Sequence, residues 1–215
     1  MYIVCADLCG PAGTQNTGVA VFAATDKCLD FVDRESDGSD DTLLDMINLL
    51  ANEAPVTVGL DAPLSYEPGG GDRGRDAELR RVIVAKGMRP GSVMAPLASR
   101  MVYVTLRGVV LSRALSFLNT ENSVSIVEVH PGAALCLRDA PIEAILAFAK
   151  DPISRADLVD WMAKRGVRGL RVPSPCPSHF VAACAGGIAA WDWYRGRSPW
   201  VARAELPWHP FDFAA

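Results

Sequence analysis

Residues 56–65 read VTVGLDAPLS, and the first five of them carry no charged side chain. A short uncharged run of β-forming residues is typical of a strand that helices cover on both faces of a parallel sheet. Asp61 follows this run directly, at the point where the predicted strand ends. The stretch therefore predicts an α/β fold with a carboxylate at one edge of its sheet, where open α/β sheets bind their ligands.

Four other segments have the composition of strands, and they flank this run along the chain. They comprise residues 2–8, 17–24, 27–32 and 124–129. The first three follow one another across short turns, which predicts an antiparallel meander. The last is reached through helical segments, which predicts a parallel strand. One α/β domain with a mixed sheet accounts for this order of elements.

Helical patterns fill the intervals between the predicted strands. Leucine and isoleucine recur at three- and four-residue steps over residues 43–50, and Ser39 precedes them where a helix is capped. Further helices are predicted over residues 75–86, 95–118 and 154–166, and from Ser178 onward. The last helix is rich in small apolar residues, so we expect it to pack closely against the sheet.

The chain is expected to form a single domain over residues 1–215. This domain carries an inserted basic helical segment at about residues 73–118 and an aromatic C-terminal tail at about residues 198–215. The tail is too aromatic to remain in solvent. We therefore expect it to dock on the domain or on a second subunit, and the latter would make the protein a homodimer.

The composition is that of a globular protein, since 50% of the residues are hydrophobic and 21% are charged. The six cysteines form no CxxC pair, so we expect reduced thiols and a cytoplasmic protein. The N-terminus has no basic region ahead of an apolar core, which predicts no signal peptide. The most apolar late stretch, residues 180–191, is shorter than the roughly 20 residues of a membrane helix, so no membrane partner is expected.

Charge is distributed unevenly along the chain, whose net charge is −4. Residues 1–72 hold thirteen acidic and two basic side chains, whereas residues 73–113 hold nine basic and two acidic ones. This asymmetry is compatible with a metal site beside an anion-binding surface. Arginines scattered over a solvated surface would explain it equally well.

Three acidic residues stand at or near the ends of predicted strands: Asp7, Asp61 and Glu128. If the three strands are neighbours, their ends bring the carboxylates together at one edge of the sheet. Carboxylates in a semi-apolar crevice repel one another, and a divalent cation removes the repulsion. Oxygen ligands select hard ions, so these residues predict a Mg²⁺ or Mn²⁺ site.

Each of the three acids also has a structural interpretation. Asp61 can cap a turn, and Asp7 can accept hydrogen bonds from the amides of the loop that follows it. An acid inside a strand, as Glu128 is, rarely lacks a partner. Pairing of one acid with Arg75 or Arg100 is the main structural alternative to the metal site.

His179 is the fourth candidate, at the start of the last predicted helix. The positive end of the helix dipole favours the neutral imidazole at this place. A neutral imidazole can bind a metal or take a proton from an attacking water, although a structural role is also open. His130 and His209 are less well placed, and we interpret both as structural.

The order of these motifs resembles one protein family. A strand ending in Asp7 is followed by GLDAPLS at residues 59–65, GRDAELRR at 74–81, EVHPGAA at 128–134 and a late helix of small residues. This order is similar to that of the domain of unknown function 429 family, over residues 1–196. Its members are described as predicted nucleases of ribonuclease H-like fold. The resemblance therefore implies a mixed five-stranded sheet, three antiparallel strands and then two parallel ones, flanked by helices.

The resemblance also implies a function, which is metal-dependent hydrolysis of phosphodiester bonds in nucleic acid. Asp7 and Asp61 match strand-end acids of that fold and Glu128 matches its EVHP-like motif. His179 stands where the final helix usually offers an acid. DNA and RNA are both open as substrates. The side chains expected to hold the phosphates are Arg73, Arg75, Arg80 and Arg81.

Two other functions stay open. DLCGPAGT at residues 7–14 is similar to the phosphate-binding hairpin of sugar kinases and actin-like ATPases. A histidine at position 179 in place of an acid, together with the net negative charge, instead suits a degraded ribonuclease H-like fold. Such a fold would bind nucleic acid or protein without hydrolysing it.

Overall fold

The structure, a computed structural model, describes residues 1–34, 38–170 and 172–215. These residues form eight strands: β1 (Tyr2–Asp7), β2 (Gly18–Ala24), β3 (Leu29–Asp33), β4 (Val56–Asp61), β5 (Val124–Val129), β6 (Val167–Arg168), β7 (Val201–Ala202) and β8 (Phe213–Ala214). The strands make one sheet in the order β6-β3-β2-β1-β4-β5-β8-β7.

The central five strands of this mixed α/β sheet have the predicted arrangement. β1 and β3 each pair antiparallel with β2, whereas β4 pairs parallel with both β1 and β5. The expected number of five strands is wrong, because three two-residue strands extend the sheet. β6 joins β3 at one edge, and β8 and β7 follow β5 at the other. Two residues are too few to show the alternation by which a strand is predicted from sequence.

The same residues form seven α-helices. They are α1 (Asp40–Glu53), α2 (Gly74–Val84), α3 (Met101–Ser116), α4 (Pro131–Leu137), α5 (Ile142–Ala147), α6 (Pro152–Lys164) and α7 (Ser178–Tyr194). All the predicted helices are present, and the Ser39 hydroxyl caps α1 by accepting a hydrogen bond from the Thr42 amide. The sequence did not predict α4 and α5, which have too few turns for a periodic pattern. None of the helices described is long and apolar enough to cross a membrane.

Apolar side chains from the two faces of the sheet form two cores. On one face, Ile3 and Cys5 pack with buried residues of α2, α4, α6 and α7. On the other face, Val4 and Ala6 pack with α1 and α3. Successive residues of a strand point to opposite faces, so β1 contributes to both cores. The basic segment at residues 73–118 is thereby divided, with α2 over one face and α3 over the other.

The aromatic tail lies against the domain through three of its rings, the third being the partly buried Phe211. Trp200 and Phe213 are both buried, with their ring centroids 5.2 Å apart in an edge-to-face arrangement. Phe213 belongs to β8, which adds to the edge of β5. Trp208, in contrast, is 65% exposed. All six cysteines of the chain are free thiols.

Close contact between α7 and the sheet places His179 at the sheet edge. Gly18 pairs with Asp7 across β1 and β2. A Cβ atom at Gly18 would lie 2.2 Å from the carbonyl oxygen of His179, and one at Gly186 would lie 2.4 Å from the Cys5 sulfur. These separations are far below van der Waals contact, so the helix approaches the sheet this closely only because glycine occupies both positions.

We expect Gly18→Ala to lower the free energy of unfolding by about 1–3 kcal/mol, because the added methyl group must displace the backbone of α7. The matched control is Gly69→Ala, since a Cβ atom at Gly69 meets no atom within 4 Å. The control should change stability by less than about 0.5 kcal/mol. Urea unfolding measures both, and equal stability of the two variants would contradict the packing described.

Candidate functional site

Asp7 and Asp61 end two neighbouring parallel strands in the same register. β1 and β4 pair residue by residue, from Tyr2 with Val56 to Asp7 with Asp61. Directly paired residues project from the same face of a sheet, so the two carboxylates lie side by side. Both line a cavity at this edge of the sheet. The structure thus brings two of the predicted site residues together.

The environment of Asp61 opposes its ionisation. Burial, followed by the charge of Asp7 and a hydrogen bond with Asp7, raises the pKa of Asp61 well above its usual range. The charge of Glu128 acts in the same direction. Two adjacent, partly buried carboxylates cannot both stay charged without compensation. The pair therefore needs a shared proton or a cation.

His179 is the third member of this group. Its Nδ1 lies 2.7 Å from the Asp7 Oδ2, so a ring protonated at Nδ1 donates a hydrogen bond to the carboxylate. This hydrogen bond raises the pKa of His179, and burial opposes the rise. The position at the start of the helix predicts a neutral ring, but the acid in direct contact outweighs the helix dipole. The His179 side chain is 41% exposed, so it can reach a ligand in the cavity.

Glu128 lines the same cavity, but it projects from the other face of the sheet. In the pairing of β4 with β5, Glu128 stands opposite Leu60 rather than Asp61. Leu60 contributes to the core beneath α1 and α3, on the face opposite to Cys5. Because side chains alternate along a strand, Glu128 shares the face of Leu60 and not that of the two aspartates.

Arg73 neutralises Glu128 directly. Its Nη1 and Nη2 donate to the two carboxylate oxygens of Glu128 at 2.8 and 2.5 Å, and the Leu64 amide donates to the same carboxylate at 3.0 Å. Asp76 accepts further hydrogen bonds from Arg73. Burial lowers the pKa of Arg73, but the charges of Glu128 and Asp76 outweigh it and hold the pKa above its ordinary value.

Pairing of one acid with an arginine was the structural alternative to the metal site, and Glu128 is paired in this way. Its partner is Arg73 rather than Arg75 or Arg100. Among the residues described, no group of three histidine, cysteine or acidic side chains could hold a metal ion. The expected cluster of three carboxylates is a pair of aspartates beside an internal ion pair.

The other arginines expected to hold phosphates have different surroundings. Arg75 is buried, and it donates to the carbonyl oxygens of Phe211 and Arg203 at 3.0 and 2.9 Å, which ties the tail to α2. Arg80 donates to the Asp72 carboxylate and to the Val93 carbonyl oxygen. Arg81 is exposed. Three of the four arginines are therefore already bound to acceptors within the protein.

The remaining histidines make structural contacts. His130 accepts a hydrogen bond from the Ala133 amide at Nδ1 and donates from Nε2 to the Ser92 carbonyl oxygen. A ring that accepts at one nitrogen and donates from the other is neutral. Burial of the ring lowers the pKa of His130 and favours the same neutral form. His209 lies 2.8 Å from the Ser65 hydroxyl, which also accepts a hydrogen bond from Arg73.

The cavity beside the aspartates has a volume of about 430 Å³. Its polar end includes Asp7, Asp61 and His179. Part of the lining, here called the apolar wall, comes from the connection between α2 and α3, from the start of α3 and from the region of α5. This wall includes Met88, Val93, Met94, Met101, Ile145 and Phe148. We did not predict the wall, because apolar residues in distant segments give no sequence signal of a common cavity.

A family model described as a protein of unknown function, DUF429, matches residues 7–206. The chain belongs to the DUF429 family. The matched region includes all four candidate residues, namely Asp7, Asp61, Glu128 and His179. Comparison with curated proteins and with solved structures found no match. The family's description states no activity, so the function of this DUF429 protein has to be argued from its site.

The donor groups of this DUF429 site fit one hard divalent ion. Mg²⁺ commonly binds through one or two carboxylates and fills its other positions with water and substrate oxygens. Asp7 and Asp61 supply two carboxylates in register, and the charge of Asp7 is among the causes that raise the pKa of Asp61. Glu128 does not contribute, because Arg73 and Leu64 use its oxygens.

We expect Asp61→Asn to stabilise the metal-free protein by about 1 kcal/mol at pH 8, because it removes a partly buried charge beside Asp7. The folded state holds the Asp61 proton more tightly than the unfolded state does. Wild type therefore loses stability as pH rises from the ordinary pKa of an aspartate through the raised one. The gain from the substitution should vanish at low pH. Urea unfolding in a chelating buffer measures it.

Mg²⁺ provides the complementary measurement. It should raise the Tm of wild type and leave that of Asp61→Asn almost unchanged, since only wild type has both ligands. Asp160→Asn is the matched control, because Asp160 is exposed on α6. The control should behave as wild type does. Equal stabilisation of Asp61→Asn and wild type by Mg²⁺ would rule out this pair as the ion's ligands.

Proposed function

We propose that the protein is a metal-dependent hydrolase of phosphodiester bonds, built on a ribonuclease H-like form of its mixed α/β fold. The observation that carries the proposal is the pair of Asp7 and Asp61, held in register beside His179. Aspartates at the ends of parallel strands, facing a cavity, are a common arrangement for metal-assisted phosphoryl chemistry.

Asp7 and Asp61 would hold the Mg²⁺ or Mn²⁺ ion of the proposed enzyme. When bound, this ion lowers the pKa of water and offsets the charge that develops on the phosphate oxygens. The carboxylates fix the place of the reaction at the sheet edge, because both belong to strands whose preceding residues are buried.

His179 is suited to move the proton in this reaction. A water oxygen forms a bond to phosphorus while the ester P–O bond breaks, and the leaving oxygen gains a proton. The hydrogen bond to Asp7 occupies Nδ1 of His179. The neutral ring therefore keeps Nε2 as its basic nitrogen, which accepts the proton of the water and then passes it to the leaving oxygen.

One observation favours a second candidate, the degraded fold that binds without hydrolysis. Arg73 closes off Glu128, the third acid that the resemblance assigns to the site. A fold that had lost its chemistry could retain such an internal ion pair for stability. Binding of nucleic acid that ignores Mg²⁺ and survives Asp7→Asn would select this candidate.

We expect wild type to hydrolyse bis(4-nitrophenyl) phosphate in the presence of Mn²⁺, and Asp7→Asn to lower kcat/KM at least about 100-fold. The substitution removes one metal ligand and the carboxylate that orients His179. Asp160→Asn, purified in parallel, should retain the wild-type rate. Equal rates for wild type and Asp7→Asn would identify a contaminant as the source of cleavage and end the proposal.

A further inference from the structure

Hydrolysis of a phosphodiester bond does not by itself require the apolar wall of the cavity. Three methionines contribute to it, Met88, Met94 and Met101, together with Phe148. Methionine thioethers are adaptable and make favourable contacts with aromatic rings, and phenylalanine packs against a second ring. A wall of this composition suits a flat aromatic group of about the size of a nucleobase.

The charges around the cavity do not suit a polyanion. Four acidic residues line it, Asp7, Asp61, Asp76 and Glu128, and Arg73 is the one arginine among the described lining residues. The guanidinium of Arg73 is already shared between Glu128 and Asp76. Binding of a nucleic-acid strand requires several cations that neutralise successive phosphates. One divalent ion at the aspartates could compensate one phosphate but not its neighbours.

The basic residues of α2 do not supply the missing track of cations. Arg75 is turned to the tail carbonyl groups, and Arg80 to Asp72 and the Val93 carbonyl oxygen. Arg81, the third basic residue of α2, is exposed but does not line the cavity. The volume of about 430 Å³ lies in the range of roughly 300–1,000 Å³ that is typical of small-molecule pockets.

We infer that the substrate is a small phosphodiester carrying a flat aromatic group, of mononucleotide size, rather than a nucleic-acid strand. The inference rests on the proposed function, since the phosphate lies at Asp7 and Asp61. The aromatic group lies on the wall formed by Phe148 and the methionines. Hydrolysis adds a water oxygen to phosphorus and releases the esterified alcohol or phenol with a proton.

The test compares the 4-nitrophenyl ester of thymidine 5′-monophosphate with labelled single- and double-stranded DNA and RNA oligonucleotides, all with Mn²⁺. We expect kcat/KM for the small ester to exceed that per phosphodiester of any oligonucleotide by at least about tenfold. Phe148→Ala should raise KM for the small ester about tenfold and change kcat little, because the wall binds the ring and does not touch the phosphate.

Met94→Ala is the second variant of the wall, and Phe117→Ala is the matched control. Met94 is 43% exposed, so its truncation should leave the fold intact, and Phe117 is 86% exposed outside the cavity. Met94→Ala should also raise KM for the small ester, and Phe117→Ala should leave this KM unchanged. Preferred cleavage of oligonucleotides, with no effect of either wall variant, would overturn the inference and leave the proposed hydrolysis standing.

A binding measurement tests the inferred ligand independently of the proposed hydrolysis. Calorimetric titration with thymidine 5′-monophosphate and Mg²⁺ should show binding to wild type and to Phe117→Ala, and at least about tenfold weaker binding to Phe148→Ala. Binding with this pattern, but no cleavage of any substrate, would overturn the hydrolase and retain the ligand class. Failure of wild type to bind the nucleotide would overturn the inference.

Discussion

Two like charges held side by side at the edge of the sheet are the constraint from which the site follows. Asp7 and Asp61 face each other because β1 and β4 pair in parallel over six residues each. A one-residue shift in the pairing of β1 with β4 would relieve the repulsion between the two carboxylates. It would also turn every buried side chain of the shifted strand to the wrong face of the sheet. The two cores therefore fix the register, and the carboxylates must find compensation where they are.

The same edge holds a second group of acids, whose hydrogen bonds are made within the protein. Glu128 and Asp76 are buried acids that share the guanidinium of Arg73, itself only 1% exposed. Burial of such a group is tolerated only when its hydrogen bonds are made, and here Arg73 and the Leu64 amide make them. The hydrogen bonds of Glu128 and Asp76 are thus made within the protein, whereas Asp7 and Asp61 have the His179 imidazole and need a shared proton or an external cation besides it. This difference divides the structural part of the edge from the part that faces a ligand.

Patterns of apolar residues were sufficient to predict the central sheet and the longer helices. The face of the sheet from which Glu128 projects was not predictable. It depends on the register of β5 against β4 and not only on where β5 ends. A single step of alternation turns an acid from one face to the other. Arg73 illustrates the same limit. The sequence shows a basic residue three positions before Asp76, but its pairing with Glu128 joins residues 55 positions apart. The contact of His179 with Asp7 likewise depends on Gly18, whose importance is visible only once α7 lies against β2.

Anomalous scattering from crystals soaked in Mn²⁺ would test this account of the charges. The account predicts one peak between the carboxylates of Asp7 and Asp61, with Arg73 still bound to Glu128. A peak coordinated by Glu128 with Arg73 displaced, or no peak at the two aspartates, would contradict it.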